Sequence, residues 1–231
     1  MKVFKKFSKN EVFDIAQNLG CGSSVKTKQH AVKFIIETLK SVENPTKFQR
    51  VKFLSTGKTG KTFLVVPLEA PHCGIFYAQK TFYREKSIKN LLLENSLQSK
   101  ASEFGICPRI INTDIENKTI TMQLMQKHLY TEMKHKKRLT MKRQKELFNI
   151  FLKLDQAKVF HADSNILNYM IDKHDNVKII DFGMSKNIDD KLIKKLGTEK
   201  PNRKFMTLGL ILKLRELGFD KKSYSFLEKN L

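Results

Sequence analysis

Apolar residues set the first divisions of the chain. Between 9 and 41 they recur every three or four positions: Val12, Phe13, Ala16 and Leu19, then, after Gly20 and Gly22, Val32, Ile35, Ile36 and Leu39. That spacing predicts two helices, because residues three and four apart share one helix face. "SVENPTK" breaks the pattern, and Pro45 disfavours helix at the residue before it, so a boundary is expected near 42–47. From about 49 the texture changes to "RVKFLS", "TFLVVPL" and "GIFYAQKTF", short runs rich in Val, Phe and Thr and bounded by Gly or Pro. They read as three consecutive strands. A helix over about 86–104 follows, with Leu93, Leu97, Ala101 and Phe104 along one side, and then two strands, "RIINTDI" and "KTITMQLM", joined by the turn-like "ENK". A second long helix is predicted over 141–156, where Leu147, Ile150, Phe151 and Leu154 fall at i, i+3, i+4 and i+7 and Thr140 can serve as N-cap. "NILNYMI" and "VKIIDF" read as a small hairpin, and the remainder from Ser185 as basic and mostly helical. The pattern predicts an α+β chain: a helical extension over 1–47, then a domain over 48–231 that opens with a five-stranded unit carrying one helix.

Charge adds a constraint on partners. Lys and Arg outnumber Asp and Glu by 44 to 23, for a net charge of +21. Such an excess suits contact with nucleic acid, a phosphate-rich ligand or an acidic protein; it also describes an ordinary solvated, Lys-rich surface. Cys21, Cys73 and Cys107 are scattered without a C-x-x-C pair or a Cys/His cluster at zinc spacing, which argues against a disulfide framework and a structural metal. No apolar run is long enough for a signal peptide or a membrane span. A soluble intracellular protein of the cytoplasm or nucleus (of the host cell if viral or an effector), without a membrane partner, is the expectation. Nothing in the pattern fixes an oligomeric state.

Two consecutive triplets, Gly57-Lys58-Thr59 and Gly60-Lys61-Thr62, look like the tail of a Walker A phosphate loop. Such a loop needs a glycine five residues earlier, so that backbone N–H groups curl around the phosphates. Counting back gives Ser55 and Lys52, and neither fits.

The segment "FHADSNILNYMIDKHDNVKIIDFGMSK" answers the phosphate question differently. It places His161-Ala162-Asp163, then Asn168 five residues after the aspartate, then Asp181-Phe182-Gly183. Phosphoryl transfer needs a carboxylate to orient the attacking hydroxyl and further oxygen ligands for Mg2+, and this spacing supplies both across a short hairpin. The arrangement resembles the H-x-D-x-x-x-x-N and D-F-G signatures of the protein-kinase superfamily. The resemblance implies a two-lobed kinase-like fold, with an N-lobe over about 48–126 and a C-lobe over about 127–231, and an ATP- and Mg2+-dependent serine/threonine kinase acting on a protein substrate. It implies Asp163 as catalytic base and Asn168 and Asp181 as metal ligands. It turns "LSTGKTGKT" into the glycine-rich hairpin over the phosphates, with Ser55 at the first glycine position, Gly57 and Gly60 at the others, and Lys58 or Lys61 adding charge. Ala78-Gln79-Lys80 matches the Ala-x-Lys of the third strand, so Lys80 would contact the phosphates and pair with Glu94, or else with Glu103, on the next helix. Each of these residues alone reads equally as an exposed strand lysine, a solvated glutamate or a core histidine.

Departures narrow the likeness. Ala162 stands where H-R-D has arginine, and "SNIL" after Asp163 lacks the usual lysine. No Ala-Pro-Glu follows D-F-G, and "KFMTLGLIL" is similar to the helix that anchors a kinase C-lobe, with Lys204 where its aspartate belongs. A truncated, mainly helical C-lobe is therefore expected. The plan is similar to atypical minimal kinases: the RIO type, the small kinase of the KEOPS complex, and compact viral or effector kinases. The alternative is a pseudokinase or ATPase-type scaffold bound to a partner complex or nucleic acid. The two N-terminal helices distantly resemble small SAP-like modules that bind DNA, or form a helical brace. "KHKKRLTMKRQK" (134–145) reads as a contact for an acidic partner or nucleic acid, or as a solvated helix start.

Overall fold

A computed structural model describes residues 8–10, 13, 27–32, 44–68 and 74–231. The chain falls into two compact units, Met1–Arg50 with Val65–Ile75, and Val51–Leu64 with Phe76–Leu231. Every residue of the candidate site below belongs to the second unit. The segment read as a helical extension lies largely outside the described residues, as do Cys21 and Cys73.

The strands are β1 (Phe48–Thr56), β2 (Gly60–Pro67), β3 (Tyr77–Phe82), β4 (Ile110–Asp114) and β5 (Thr119–Gln123), in the sheet order β1-β2-β3-β5-β4. Beyond the β1–β2 turn, β5 pairs antiparallel with both β3 and β4, with Lys80 opposite Ile120. Helix α1 (Ile88–Glu103) connects β3 to β4. Its start is set by Ser87, whose Oγ accepts from the Asn90 N–H at 3.2 Å. The buried stripe of α1 is Leu91, Glu94, Leu97, Gln98 and Ala101. This corrects the face expected from periodicity, since Leu93 is left exposed. The triple "LLL" offers three leucines at 91–93, and contact with Phe82 and Ile120 in the sheet core selects Leu91.

After β5 the chain becomes mainly helical. In order come β6 (Lys127–His128), α2 (Leu129–Lys136), α3 (Met141–Gln156), β7 (Val159–Phe160), β8 (Tyr169–Ile171), β9 (Val177–Ile179), β10 (Lys186–Asn187), α4 (Asp190–Leu196), α5 (Thr207–Glu216) and α6 (Ser225–Lys229). Helix α3 opens on the expected cap, Thr140, and buries Leu147, Ile150, Phe151 and Leu154 at the expected spacing. These pack with Tyr169 and Ile179 of the β8–β9 hairpin and with Leu210, Ile211 and Leu214 of α5 in one apolar core. Each such side chain removed from water stabilises the fold by about 1.5–3 kcal/mol before entropy is counted. The α+β kinase-like plan is thus what the chain forms: a five-stranded sheet with one helix, then a short, mainly helical part. Among the described residues no helix is long and apolar enough to cross a membrane.

Candidate active site

Strand alternation puts Lys80 and Phe82 on one face of β3, with the Lys80 Nζ 5.1 Å from the Phe82 ring centre. From there Nζ donates to Glu94 Oε1 at 2.6 Å and to Asp181 Oδ1 at 2.9 Å. Strand, helix and loop so meet at one ammonium group. Glu94, not Glu103, is the partner on α1, and it rides on that helix's buried stripe. Burial works against the Lys80 charge, but the two carboxylates outweigh it and hold the pKa above the ordinary lysine value. Burial also pushes the Glu94 carboxyl upward, against the pull of Lys80. Asp181 differs: its side chain is 43% exposed. Partial desolvation raises its carboxyl, and Lys80 with the Gly183 N–H more than offsets this, so it titrates below an ordinary aspartate.

The loop carrying Asp163 is held by backbone anchors. His161 is fully buried; its N–H donates to Asn202 Oδ1 at 3.0 Å and its carbonyl accepts from Ser185 Oγ at 3.2 Å. The imidazole sits 5.0 Å from the Phe182 ring, edge to face, with Nδ1 at 3.1 Å from the Asp163 carbonyl and Nε2 at 3.0 Å from the Ile180 carbonyl. Burial keeps its pKa below the ordinary histidine value, so the neutral ring has one N–H to donate to these two carbonyls. Ala162 (φ 62°) and Asp181 (φ 63°) both adopt left-handed backbone, which costs a residue with a Cβ about 1 kcal/mol or more. Asp163 Oδ1 accepts from the Asn165 N–H at 3.1 Å.

Asn202 does the anchoring expected of the aspartate whose place Lys204 takes in the sequence. Its Nδ2 donates to Asp155 Oδ1 and to the Val159 carbonyl, both at 2.7 Å, while Asp155 also accepts from the Asn202 and Arg203 N–H groups. Lys204 is exposed. Residues Asn202–Met206 wind as a π-helix, so counting back from α5 at ordinary helix spacing lands on the wrong side chain. A polar residue beside proline, two positions before the expected one, was the only available signal. Gly209 was a further missed contact: a Cβ there would stand 2.3 Å from Ser164 Oγ, so only glycine lets α5 pass this close to the Asp163 loop.

The hairpin between β1 and β2 turns over Gly57–Gly60, with the Gly57 N–H donating to the Gly60 carbonyl at 2.9 Å. Gly60 lies against β3, where a Cβ would meet the Thr81 carbonyl at 2.2 Å. Thr59, absent from the sequence-derived set, is the hairpin residue beside D-F-G: a Cβ on Gly183 would lie 3.2 Å from Thr59 Cγ2 and 3.3 Å from both Asp181 Oδ1 and Glu94 Oε2. Ser55, Gly57 and Lys58 are exposed and make no described contact with Lys80, Glu94 or Asp181.

Among the described residues no cluster of three or more His, Cys, Asp or Glu side chains could cage a metal. Mg2+ does not need one, since it takes one or two protein oxygens and completes its shell with phosphates and water. Asn168 suits that role: its Nδ2 points to the Asp163 carbonyl at 3.4 Å, which leaves Oδ1 as the free end of the amide. Asp181 keeps Oδ2 clear of Lys80. The donor set fits Mg2+.

These features agree with an independent comparison. Residues 82–198, half of the chain, match the family model described as ABC1 atypical kinase-like domain. The match spans Glu94, Asp163, Asn168 and Asp181; it begins just after Lys80. A comparison with curated proteins finds no match. The family match supports an atypical kinase with ATP-directed, phosphotransferase-type chemistry and does not extend to the finer likeness to RIO-type, KEOPS or compact viral kinases. The chain belongs to the ABC1 atypical kinase-like family.

Proposed function

We propose that this chain is an ATP- and Mg2+-dependent protein kinase that transfers the γ-phosphoryl group to Ser or Thr of a protein substrate, with its own chain as one acceptor. The observation that carries the reading is Lys80, a buried cation bridging Glu94 and the solvent-facing Asp181, with Thr59 of the β1–β2 hairpin beside Gly183 of D-F-G. Lys80 is charged and held in place by Glu94, so it can turn N–H donors to phosphate oxygens without reorganisation. Asp163 orients the substrate hydroxyl and takes its proton as the new P–O bond forms and the bond to ADP breaks. Asn168 and Asp181 hold Mg2+, which when bound offsets the phosphate charge. The hairpin, with Gly60 and Thr59 nearest and Gly57, Lys58 and Ser55 above, covers the phosphates.

Incubation with γ-labelled ATP and Mg2+, with an acidic and a basic generic protein offered as substrates, tests this. Transfer to protein that is lost in both Asp163→Ala and Asp181→Ala is the expected result. Free phosphate without protein labelling would establish an ATPase instead, a reading favoured by Asn165 standing where a lysine usually approaches the transferred group. No thermal shift with Mg-ATP would overturn both and leave a pseudokinase scaffold.

A further inference from the structure

Outside the candidate site, a cleft of about 340 Å³ opens at the start of the α5 region. Lys200, Arg203 and Lys204 line one part of it, and Phe205, Leu208 and Leu231 another. Among the described residues none of the three cations has a carboxylate in ion-pair contact. The carboxylate that Lys200 senses, Asp155, already spends its oxygens on the N–H groups of Asn202 and Arg203 and on the Asn202 amide. The Arg203 guanidinium lies 6.0 Å from the Phe148 ring and the Lys204 ammonium 5.5 Å from the Phe205 ring, so both cations lean on aromatic faces that leave their N–H donors unspent. The Thr198 hydroxyl, at the rim, accepts from the Lys200 N–H at 3.1 Å. Leu208 and Lys204 are both exposed, so the apolar and the cationic parts are each open to a partner.

Position ties the cleft to the chemistry. Leu208 immediately precedes Gly209, the residue packed against Ser164 next to Asp163. We propose that this cleft docks an acidic segment of the protein substrate, with Asp or Glu side chains on Lys200, Arg203 and Lys204 and an apolar side chain against Phe205 and Leu208. A ligand of that mixed character fits because unpaired cations favour carboxylates, while the apolar wall rewards a neighbouring aliphatic or aromatic residue. A phosphate backbone would use the cations and leave the apolar wall unused. The proposal rests on the kinase reading only in calling the docked peptide a substrate.

Binding is measured without ATP, so that the two readings can fail separately. A fluorescein-labelled, glutamate-rich peptide with a central leucine is titrated by anisotropy, beside its lysine-rich counterpart and a single-stranded oligonucleotide. Lys200→Glu with Lys204→Glu should weaken the acidic peptide roughly ten-fold at low salt, since two exposed charge contacts become repulsions. Leu208→Ala should weaken it independently of salt. Both variants should keep the Mg-ATP thermal shift; because Lys200 senses Asp155, Lys204→Glu alone is the charge reversal expected to keep the wild-type melting temperature. No binding of the acidic peptide, or binding untouched by the charge reversals, would overturn the docking site. So would an oligonucleotide that binds more tightly and loses its affinity in the same variant. Peptide docking with no phosphoryl transfer would break the kinase reading alone.

Discussion

Among the described residues two buried cations sit among carboxylates, and only one of them belongs to the candidate site. Arg143 in α3 is 3% exposed and Lys80 in β3 is 8% exposed. Arg143 donates through Nε and Nη2 to both oxygens of Glu132, through Nη1 to Glu146 and the Asp175 carbonyl, and through Nη2 to Asp175 Oδ1. Its fork is saturated, and it ties α2, α3 and the β8–β9 turn together. Lys80 makes two such bonds, one to a buried carboxylate and one to Asp181, which faces solvent, and a third donor remains for a ligand. Burial and ion pairing therefore do not distinguish function from structure here. Spare donor capacity opening to solvent does.

The largest effect that would sharpen this contrast comes from removing each cation. Arg143→Met should cost about 3 kcal/mol in urea denaturation, because Glu132, Glu146 and Asp175 all lose their shared partner and Glu132 keeps only the exposed Lys127 and Lys136. Transfer per folded molecule should persist. Lys80→Met should cost less stability, since burial already favours a proton on Glu94, yet lower transfer about 10²–10³-fold. Equal losses of stability would erase the distinction drawn here. The double variant Lys80→Met with Glu94→Leu goes further: two apolar residues replace the buried pair, and stability should match or exceed wild type while transfer stays lost.

A second test uses proton linkage, where the two carboxylate partners slope in opposite directions. Hydrogen bonds from Arg143, opposed by burial and helped by Lys136, hold Glu132 at about 2 against an ordinary 4.5. Its stabilisation is complete above the unfolded value and is lost as pH falls from about 4.5 toward 2, up to about 3 kcal/mol. Glu94 is raised by burial, so the folded state holds its proton longer than the unfolded one, and stability falls as pH rises through the window just above the ordinary value. Denaturation curves across acid pH should show Glu132→Gln flattening the acid loss and Glu94→Gln removing the opposing slope. The same sign for both residues would overturn the assignment.

What could be read from the chain follows the same division. His161, Asp163, Asn168 and Asp181 lie within one short stretch, where spacing alone orders them, and Lys80 and Glu94 are fixed by a strand and a helix of ordinary period. The elements of the sheet, α3 and the β8–β9 hairpin were legible because their apolar residues keep a clean period. Arg143 was not, because "KHKKRLTMKRQK" is uniformly basic and its partners lie up to 32 residues away. Helix α2 escaped for a related reason: it buries only Leu129 and Met133 and ends in lysines. Asn202 and Asp155 are polar groups paired 47 residues apart across a π-helical turn, a combination that no local pattern announces. Long-range polar pairing is where sequence periodicity carries no information, and both the scaffold of the Asp163 loop and the Arg143 hub are built from it.

The smallest predicted effect concerns backbone strain, and it separates the two regions once more. Asp175 beside Arg143 is left-handed (φ 63°), but it sits in the tight turn between β8 and β9, where aspartate is tolerated. Ala162 (φ 62°) has no side chain that could stabilise the same conformation, and it lies between His161 and Asp163. Ala162→Gly should relieve the Cβ contact, and after the added freedom of the unfolded chain is subtracted it should raise stability by about 0.5–1 kcal/mol. The neighbouring bonds bear on activity. His161 is fixed on both sides by Asn202 and Ser185, and Asp163 by the Asn165 N–H, so the loop's path is set without the methyl group. Transfer should therefore be unchanged while the melting temperature rises. No gain in melting temperature would show that Ala162 bears no strain. A gain accompanied by slower transfer would show that the methyl group, and not the Asn202–His161 anchor, positions Asp163.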